Sequence, residues 1–570
     1  MSDAYDVAVL GGGLAGLTLA RQIKLARPDT SIVVIEKREG PAPDAAFKVG
    51  ESTTEVGARY FAHIIGMKDH LDEEQIHKFG LRFFLSDGEN EDIARRVEMG
   101  IPFIPPDPSF QIDRGRFENA LARRNSEAGV DVRGGARVGE VEIDEDGGDH
   151  LVRFEQGGAT QEVRARWVVD AAGRAAILKK ELGLEKDNDH HINSAWWRLD
   201  GGIVIDEWSD EPEWVERMPE EFRGKRMQST NHLMGEGYWI WMIPLKSGPI
   251  SVGICCDPRV HPWENFETYE KCQEWLAEHE PQLAAAHEGR HDQVLDFLKV
   301  ENFSHGVKRA FSPDRWAVTG DAGAFVDPLF SPGSNYIAFS NSFITDLVVH
   351  DLDGDDISER AEAHNELYLR MYEMEVHPYV DFYLQMGNSQ VTVGRITWGT
   401  IAYWSLTGVL YFHDNKLTDP AFMADVRPAM ERGWKLVGVM NDFFREWHER
   451  DQTMYRNAMV NMVDPQVDAV LYLGLFAEHD EASLKQQIET NVALMEAIAV
   501  ALFHKGTELL PETEVAEDSK VNPYAISLDP ERWESDGLFD GSGVALSEVA
   551  DKATGLDATY LDRCAEPVAG

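Results

Sequence analysis

The stretch Tyr5-Asp6-Val7-Ala8-Val9-Leu10-Gly11-Gly12-Gly13-Leu14-Ala15-Gly16-Leu17 sets an apolar strand directly ahead of a Gly-x-Gly-x-x-Gly turn and the start of a helix. Gly11 permits the tight turn, Gly13 lets the backbone close on a pyrophosphate, and Gly16 lets the helix pack on the strand. Leu14 and Ala15 open the helix, whose unpaired N–H groups and dipole face the phosphates. No side chain is needed for that contact. The next apolar run, Ser31-Ile32-Val33-Val34-Ile35, ends at Glu36, 20 residues past Gly16, where a carboxylate accepts hydrogen bonds from an adenosine ribose. A glycine triplet alone fits any tight turn. Strand, glycines, helix, strand and acid in that order specify a dinucleotide cradle in a doubly wound α/β domain.

A chain of 570 residues buries a sizeable core and has room for about two to four domains. Hydrophobic residues at 43% and charged residues at 27% fit a soluble globular protein, and no apolar run reaches the roughly 20 residues of a membrane helix. No membrane partner is expected. The first strand begins near Tyr5, leaving no room ahead of it for a signal peptide, so the expected location is cytoplasmic. Cys255, Cys256, Cys272 and Cys564 lack the spacing of a metal site or disulfide framework and read as reduced thiols, with no metal. The 54 Lys and Arg against 100 Asp and Glu give a net charge of −46, which repels nucleic acid and anionic lipid. Nucleic acid is therefore excluded as a partner.

After Glu36, Lys48-Val49-Gly50-Glu51-Ser52-Thr53-Thr54 leads into a helical stretch over about 55–65, with Ser or Thr as its N-cap. This is a place for a flavin ring, through Glu51 and Ser52, or a plain helix start. Lys78 opens an expected strand through Leu85, and Arg114 starts a helix at a point from which it reaches cofactor phosphate or ring. Short strands at 138–143 and 151–154 form a small antiparallel insertion before the buried strand Trp167-Val168-Val169-Asp170 and the small-residue turn Ala171-Ala172-Gly173-Arg174. A second, antiparallel sheet is expected over about 190–310. Trp239 and Trp241 are two apart on one of its strands, so both indoles face one side, and Pro244 ends the strand. Such a pair also fits a plain core. Asp321, after the strand at 315–319, can bond a ribityl hydroxyl, while the helix start at Gly333, Ser334 and Asn335 offers N–H groups to the flavin's pyrimidine edge or an anion. Residues 1–349 thus read as the FAD-binding domain with its inserted sheet. Residues 350–570 read as a mainly helical region covering the substrate pocket, with an amphipathic helix at 480–503 and a docked or irregular tail.

Taken in order, Gly11 to Gly16 with Glu36, Asp170 to Arg174, and Gly320-Asp321 with Asp327-Pro328 resemble the motifs of the FAD-dependent monooxygenases. Gly50-Glu51-Ser52, Lys78-x-Gly80 and Trp239-x-Trp241-x-Ile243-Pro244 resemble, more narrowly, the flavin-dependent halogenases. That resemblance implies FAD, reduced to FADH2 by a separate flavin reductase, with O2 and halide as co-substrates. It further implies a hypohalous acid that travels to the family lysine, here Lys78, for transfer to an aromatic substrate, free or attached to a carrier protein. In family terms Trp239 and Trp241 separate flavin from substrate, and Ser331, Pro332 and Gly333 mark the halide segment. Two departures stand out. Phe330 takes the place of the glutamate that tryptophan halogenases carry before the serine, which points to a phenolic, pyrrolic or related electron-rich ring. Pro332 has no N–H to offer halide, which leaves open a monooxygenase or oxidoreductase on the same scaffold. An FAD-bound protein without turnover is a third reading, and Lys78 with the tryptophan pair counts against it.

Overall fold

The computed structural model describes residues 3–44, 48–451, 453–462, 466–510, 513–548 and 566–567. Cys564 lies outside the described residues. The opening strand Asp3–Leu10 is fully buried over Val7–Leu10, because it runs between two parallel neighbours, Ile32–Ile35 and the C-terminal half of Ala159–Asp170. Strands enclosed on both faces carry continuous apolar runs, as these do. Asp131–Arg133 extends the sheet beyond Ile32–Ile35, and Trp316–Val318 joins parallel to Val168–Asp170. Of the strands expected as a small insertion, His150–Gln156 pairs antiparallel with the N-terminal half of Ala159–Asp170, and Ala136–Glu142 pairs antiparallel with His150–Gln156 at the sheet's edge. They widen the main sheet instead of standing apart from it.

The helix Leu14–Ala26 leaves the glycine turn and packs against the long helix Gly333–Asp353. A Cβ at Gly16 would run into the carbonyl oxygen of Gly11, so helix and strand can be this close only with glycine there.

The second sheet has eight strands in the order Val294–Val300, Asn193–Leu199, Ile250–Cys256, Tyr238–Pro244, Thr230–Gly235, Leu81–Leu85, Val97–Gly100 and Met459–Asn461. It is wider than the 190–310 span expected, since three of its strands come from elsewhere in the chain. Pro244 is the last residue of its strand, as the missing N–H requires. One face of this sheet joins a core continuous with the parallel sheet and the C-terminal helices. The other face carries a separate core around Trp197, Trp214, Ile240 and Trp275.

The helices Ser358–Val376, Ser389–Tyr403, Pro420–Arg450 and Glu481–Thr507 are the longest elements of the region after residue 353. The last is capped by Asp480, whose carboxylate accepts from Ser483 N–H at 2.8 Å, and it buries Leu484, Ile488, Val492, Met495 and Ala499. The 3.6-residue period alone marks that face. The aromatic stretch after Ile396 is one helical path, opened by a π-helical segment at Trp404–Gly408. Among the described residues, no helix is long and apolar enough to cross a membrane.

On the sheet face that carries the separate core sits a buried charge cluster. Glu98 bonds Arg82 and Arg226, the latter at 2.9 Å, and the Arg226 guanidinium lies 3.9 Å over the Trp214 ring. Burial pushes the Glu98 carboxyl up, but the two guanidinium groups outweigh it and hold the carboxyl below its ordinary range. Removing one partner strands the others in a dry interior. Glu98→Ala is therefore expected to destabilise the fold by about 3–5 kcal/mol, read from the midpoint of urea unfolding. A loss below about 1 kcal/mol would mean that water reaches the cluster.

Candidate functional site

A cavity of about 710 Å³ runs from the glycine turn across the ends of the parallel strands to the second sheet. At its first end Gly13 caps the helix Leu14–Ala26, and a Cβ there would point into the cavity with only Lys48 Nζ nearby, 3.5 Å away. Glu36 lines the cavity and accepts hydrogen bonds from Gly12 N–H at 2.7 Å and Arg38 N–H at 2.8 Å. Those bonds fix its carboxylate and leave lone pairs for a ribose. Arg114 and Lys48 both reach the cavity and both pair with the buried Glu118, at 2.6 and 2.7 Å. Together they hold the Glu118 carboxyl down against its burial. Lys48 was not foreseen as a ligand, because a lysine between strands carries no signature of its own.

Asp321 faces the middle of the cavity and accepts no hydrogen bond among the described residues. Burial pushes its carboxyl up, opposed mainly by Arg174. Asp170, in contrast, spends both carboxylate oxygens on the N–H groups of Ala172 and Leu178, each at 2.9 Å. It shapes the turn that presents Arg174. A cleft with a glycine-lined mouth, two cations near it and an orphaned carboxyl in mid-cavity fits FAD, and these are the residues that would hold it.

The far end is walled by Trp239, Trp241 and His232. The two indoles share one side, ring centroids 5.7 Å apart. Trp239 donates to Tyr383 Oη at 2.6 Å, and that hydroxyl donates to Asp327 at 2.7 Å. The Asp327 oxygen that accepts from Tyr383 lies 2.8 Å from His190 Nε2. Sequence reading missed Tyr383 and His190, since neither lies near the tryptophan motif in the chain. Burial pushes the His232 imidazole down to about 3, so it is neutral in this wall.

Ser331, Pro332, Gly333 and Ser334 line the cavity as well. The first bond within the helix there runs from Tyr336 N–H to Pro332 O at 3.0 Å. The N–H groups of Gly333, Ser334 and Asn335 therefore precede the helical ladder. The Asn335 side chain turns away and fastens another helix, accepting from Gly57 N–H at 2.9 Å and from Thr54 Oγ1 at 3.0 Å. Thr54, at the N-cap of Glu55–Arg59, spends its hydroxyl on Asn335 and makes no side-chain cap bond. Glu51 borders the cavity, but its carboxylate is paired with Arg198 at 2.8 Å. Gly16, Asn335 and Lys78 do not line the cavity.

Lys78 sits in the loop between Ile76–His77 and Leu81–Leu85, three residues ahead of the strand it was expected to open. Gly80, at φ +68°, makes the turn that allows this. Lys78 Nζ donates to Thr53 O at 2.7 Å and Ser52 Oγ at 2.8 Å, with the side chain fully buried. Burial pushes the amine down to about 7, and the Glu55 carboxylate opposes that fall. Glu55 carried no signal in the sequence beyond a position in the first turn of a helix.

The sequence pattern of the FAD binding domain family matches residues 4–338. The flavin-dependent halogenase chlA of Dictyostelium discoideum is 26% identical over 514 residues, covering 83% of this chain and 78% of the relative. The chain belongs to the FAD binding domain family, and the relatives it resembles over most of its length are flavin-dependent halogenases. A 1H-pyrrole-2-carbonyl-[peptidyl-carrier protein] chlorinase of Pseudomonas fluorescens is also 26% identical, over 419 residues, covering 68% of this chain and 85% of that halogenase. Among solved structures, the halogenase PltM superposes with a TM-score of 0.59 over 86% of this chain and 96% of its own, at 14% identity. The shared fold thus extends past the FAD-binding motifs into the helical region.

In this FAD-binding chain, Gly13→Val should abolish FAD retention with unchanged far-UV circular dichroism, because the branched side chain fills cavity and not core. Flavin absorbance of the purified variant checks this, and normal occupancy would place the pyrophosphate elsewhere.

Proposed function

We propose that this protein is a two-component flavin-dependent halogenase, taking FADH2 from a separate flavin reductase and using O2 and halide to halogenate an electron-rich phenolic or pyrrolic ring. The observation that supports the reading best is Lys78: a fully buried lysine one hydroxyl away from a cavity that fits FAD. When bound, the flavin supplies the oxidising chemistry that converts halide to an electrophilic halogen. The chain's own residues do the rest. Two Lys78 N–H groups are spent on Ser52 and Thr53, which leaves the third to donate to the oxygen of a hypohalous acid. That donation draws charge from the halogen and lowers the barrier to its transfer in a water-poor interior. Trp239 and Trp241 keep the ring to be halogenated apart from the flavin. Phe330 leaves no carboxylate at its position to assist an indole, which favours a ring that supplies its own electron density.

The pyrrole chlorinase among the relatives is named for a carrier-bound substrate. A net charge of −46 works against docking an acidic carrier protein, so a free aromatic compound is the favoured substrate. The deciding assay supplies FAD, a flavin reductase, NADH and bromide or chloride with phenols, pyrroles and indoles, and reads product masses. Pro332 gives the monooxygenase reading its one support, and products that gain oxygen and no halogen would establish it.

Lys78→Ala should retain FAD and lose halogenation, and a variant that still halogenates would remove Lys78 from the mechanism. The working form is the ammonium, present below the amine's pKa of about 7. Product formation should therefore fall by about tenfold per pH unit as pH rises above that value. A rate unchanged at alkaline pH would show that the neutral amine suffices.

Pro332 removes one of two consecutive N–H donors from the halide segment. A charge-assisted hydrogen bond is worth about 1.5–3 kcal/mol, or roughly one to two orders of magnitude in affinity. Bromide and iodide lose less hydration than chloride on entering the site, so both should saturate at markedly lower concentration. Halide titrations of turnover check this, and chloride saturating as low as bromide would contradict it.

A further inference from the structure

One hydroxyl separates Lys78 from the flavin cavity. Ser52 lines the cavity, and its Oγ accepts from Lys78 Nζ at 2.8 Å and from Ser331 Oγ at 2.9 Å. Thr230 Oγ1 lies 2.8 Å from the same oxygen. With both lone pairs of Ser52 occupied, its own proton is directed to Thr230. Thr230 and Ser331 line the cavity and Lys78 does not, while all four side chains are buried. Ser331 holds φ at +56°, a left-handed conformation uncommon for a residue other than glycine. It does so ahead of a proline, where extended backbone is the rule. Such a conformation persists only where its surroundings over-determine it, and here it brings a hydroxyl onto Ser52.

Resting on the halogenase reading above, we infer that Ser52 is the hand-off point past which a hypohalous acid leaves the flavin cavity for the Lys78 ammonium. A hypohalous acid, like a serine hydroxyl, has one O–H donor and one oxygen acceptor. In passing, it exchanges hydrogen bonds with Ser331 and Thr230 for one with Lys78. No covalent bond is made or broken on the way. The node admits a small molecule because its three partners are hydroxyls and an amine, which can each re-pair with a guest of the same chemistry.

The passage can be probed without turnover. Cyanate supplies isocyanic acid, a small neutral molecule that adds to an unprotonated amine to form a urea, and peptide mass mapping counts the carbamylated Lys78. In the full-length chain, Ser52→Val should slow that modification by about tenfold, because its methyl groups add bulk at that position in a packed interior and cannot re-pair with a polar guest. Ser52→Ala, which is smaller, should leave it as fast as in wild type or faster, and added FAD should slow it in wild type. With reduced FAD, O2 and bromide, Ser52→Val should release hypobromous acid to a soluble scavenger while product on a phenol falls. Lys78 carbamylated equally in Ser52→Val and wild type would overturn the assignment, and so would slower modification in Ser52→Ala. If the wild type halogenates nothing but the carbamylation pattern holds, the passage stands and the halogenase reading falls.

Discussion

The constraint on which the site depends is the enclosure of the Lys78 ammonium. A charged amine out of contact with water is costly unless its protons are bonded and an opposite charge is near. The chain meets both conditions with one short segment. Ser52 Oγ and Thr53 O take two of the protons, and Glu55, two residues on, lends its negative field from the first turn of its helix. That segment is in turn pinned from three directions. Ile112 N–H donates to Glu51 O at 2.7 Å, Thr53 N–H donates to Phe110 O at 3.0 Å, and Asn335 holds Gly57 N–H. Lysine, flavin cavity, the strand Phe110–Gln111 and the helix Gly333–Asp353 are thereby tied to residues 51–57. An amine held near neutrality in this way can gain or lose its proton at small cost, as acid catalysis requires.

How much of this is legible in the sequence follows from the range of each interaction. Backbone-driven features are local: the glycine turn, the strand ending at Glu36, and the amphipathic helix capped by Asp480 all lie where their spacing places them. The second sheet shows the limit. Its central strands follow from their apolar runs, but Met459–Asn461 pairs with Val97–Gly100 across more than half the chain, and three residues have too little pattern to announce a partner. Lys78 shows a different limit. Its residue type and the glycine two positions on mark it, yet its place in a loop and not a strand depends on the two-residue pairing of Ile76–His77 with Phe110–Gln111. Lys48, Arg174 and Glu55 were missed because their roles come from the cavity around them.

The C-terminal helices carry no recognisable motif and still belong to the site. Tyr383 accepts a hydrogen bond from the Trp239 indole N–H and donates its own O–H to Asp327, which ties a helix beyond residue 380 to the tryptophan wall of the cavity. Tyr403 Oη accepts from Val56 N–H at 3.1 Å, at the start of the helix that carries Glu55. An indole ring free to rotate could not keep two reactants apart, and a hydrogen bond at its nitrogen fixes the one torsion that packing leaves soft. The pairing of strand tryptophan with helix tyrosine makes the placing of the wall depend on both elements. The sheet supplies the wall, the helices hold it in place, and many helical sequences can present one hydroxyl at one point.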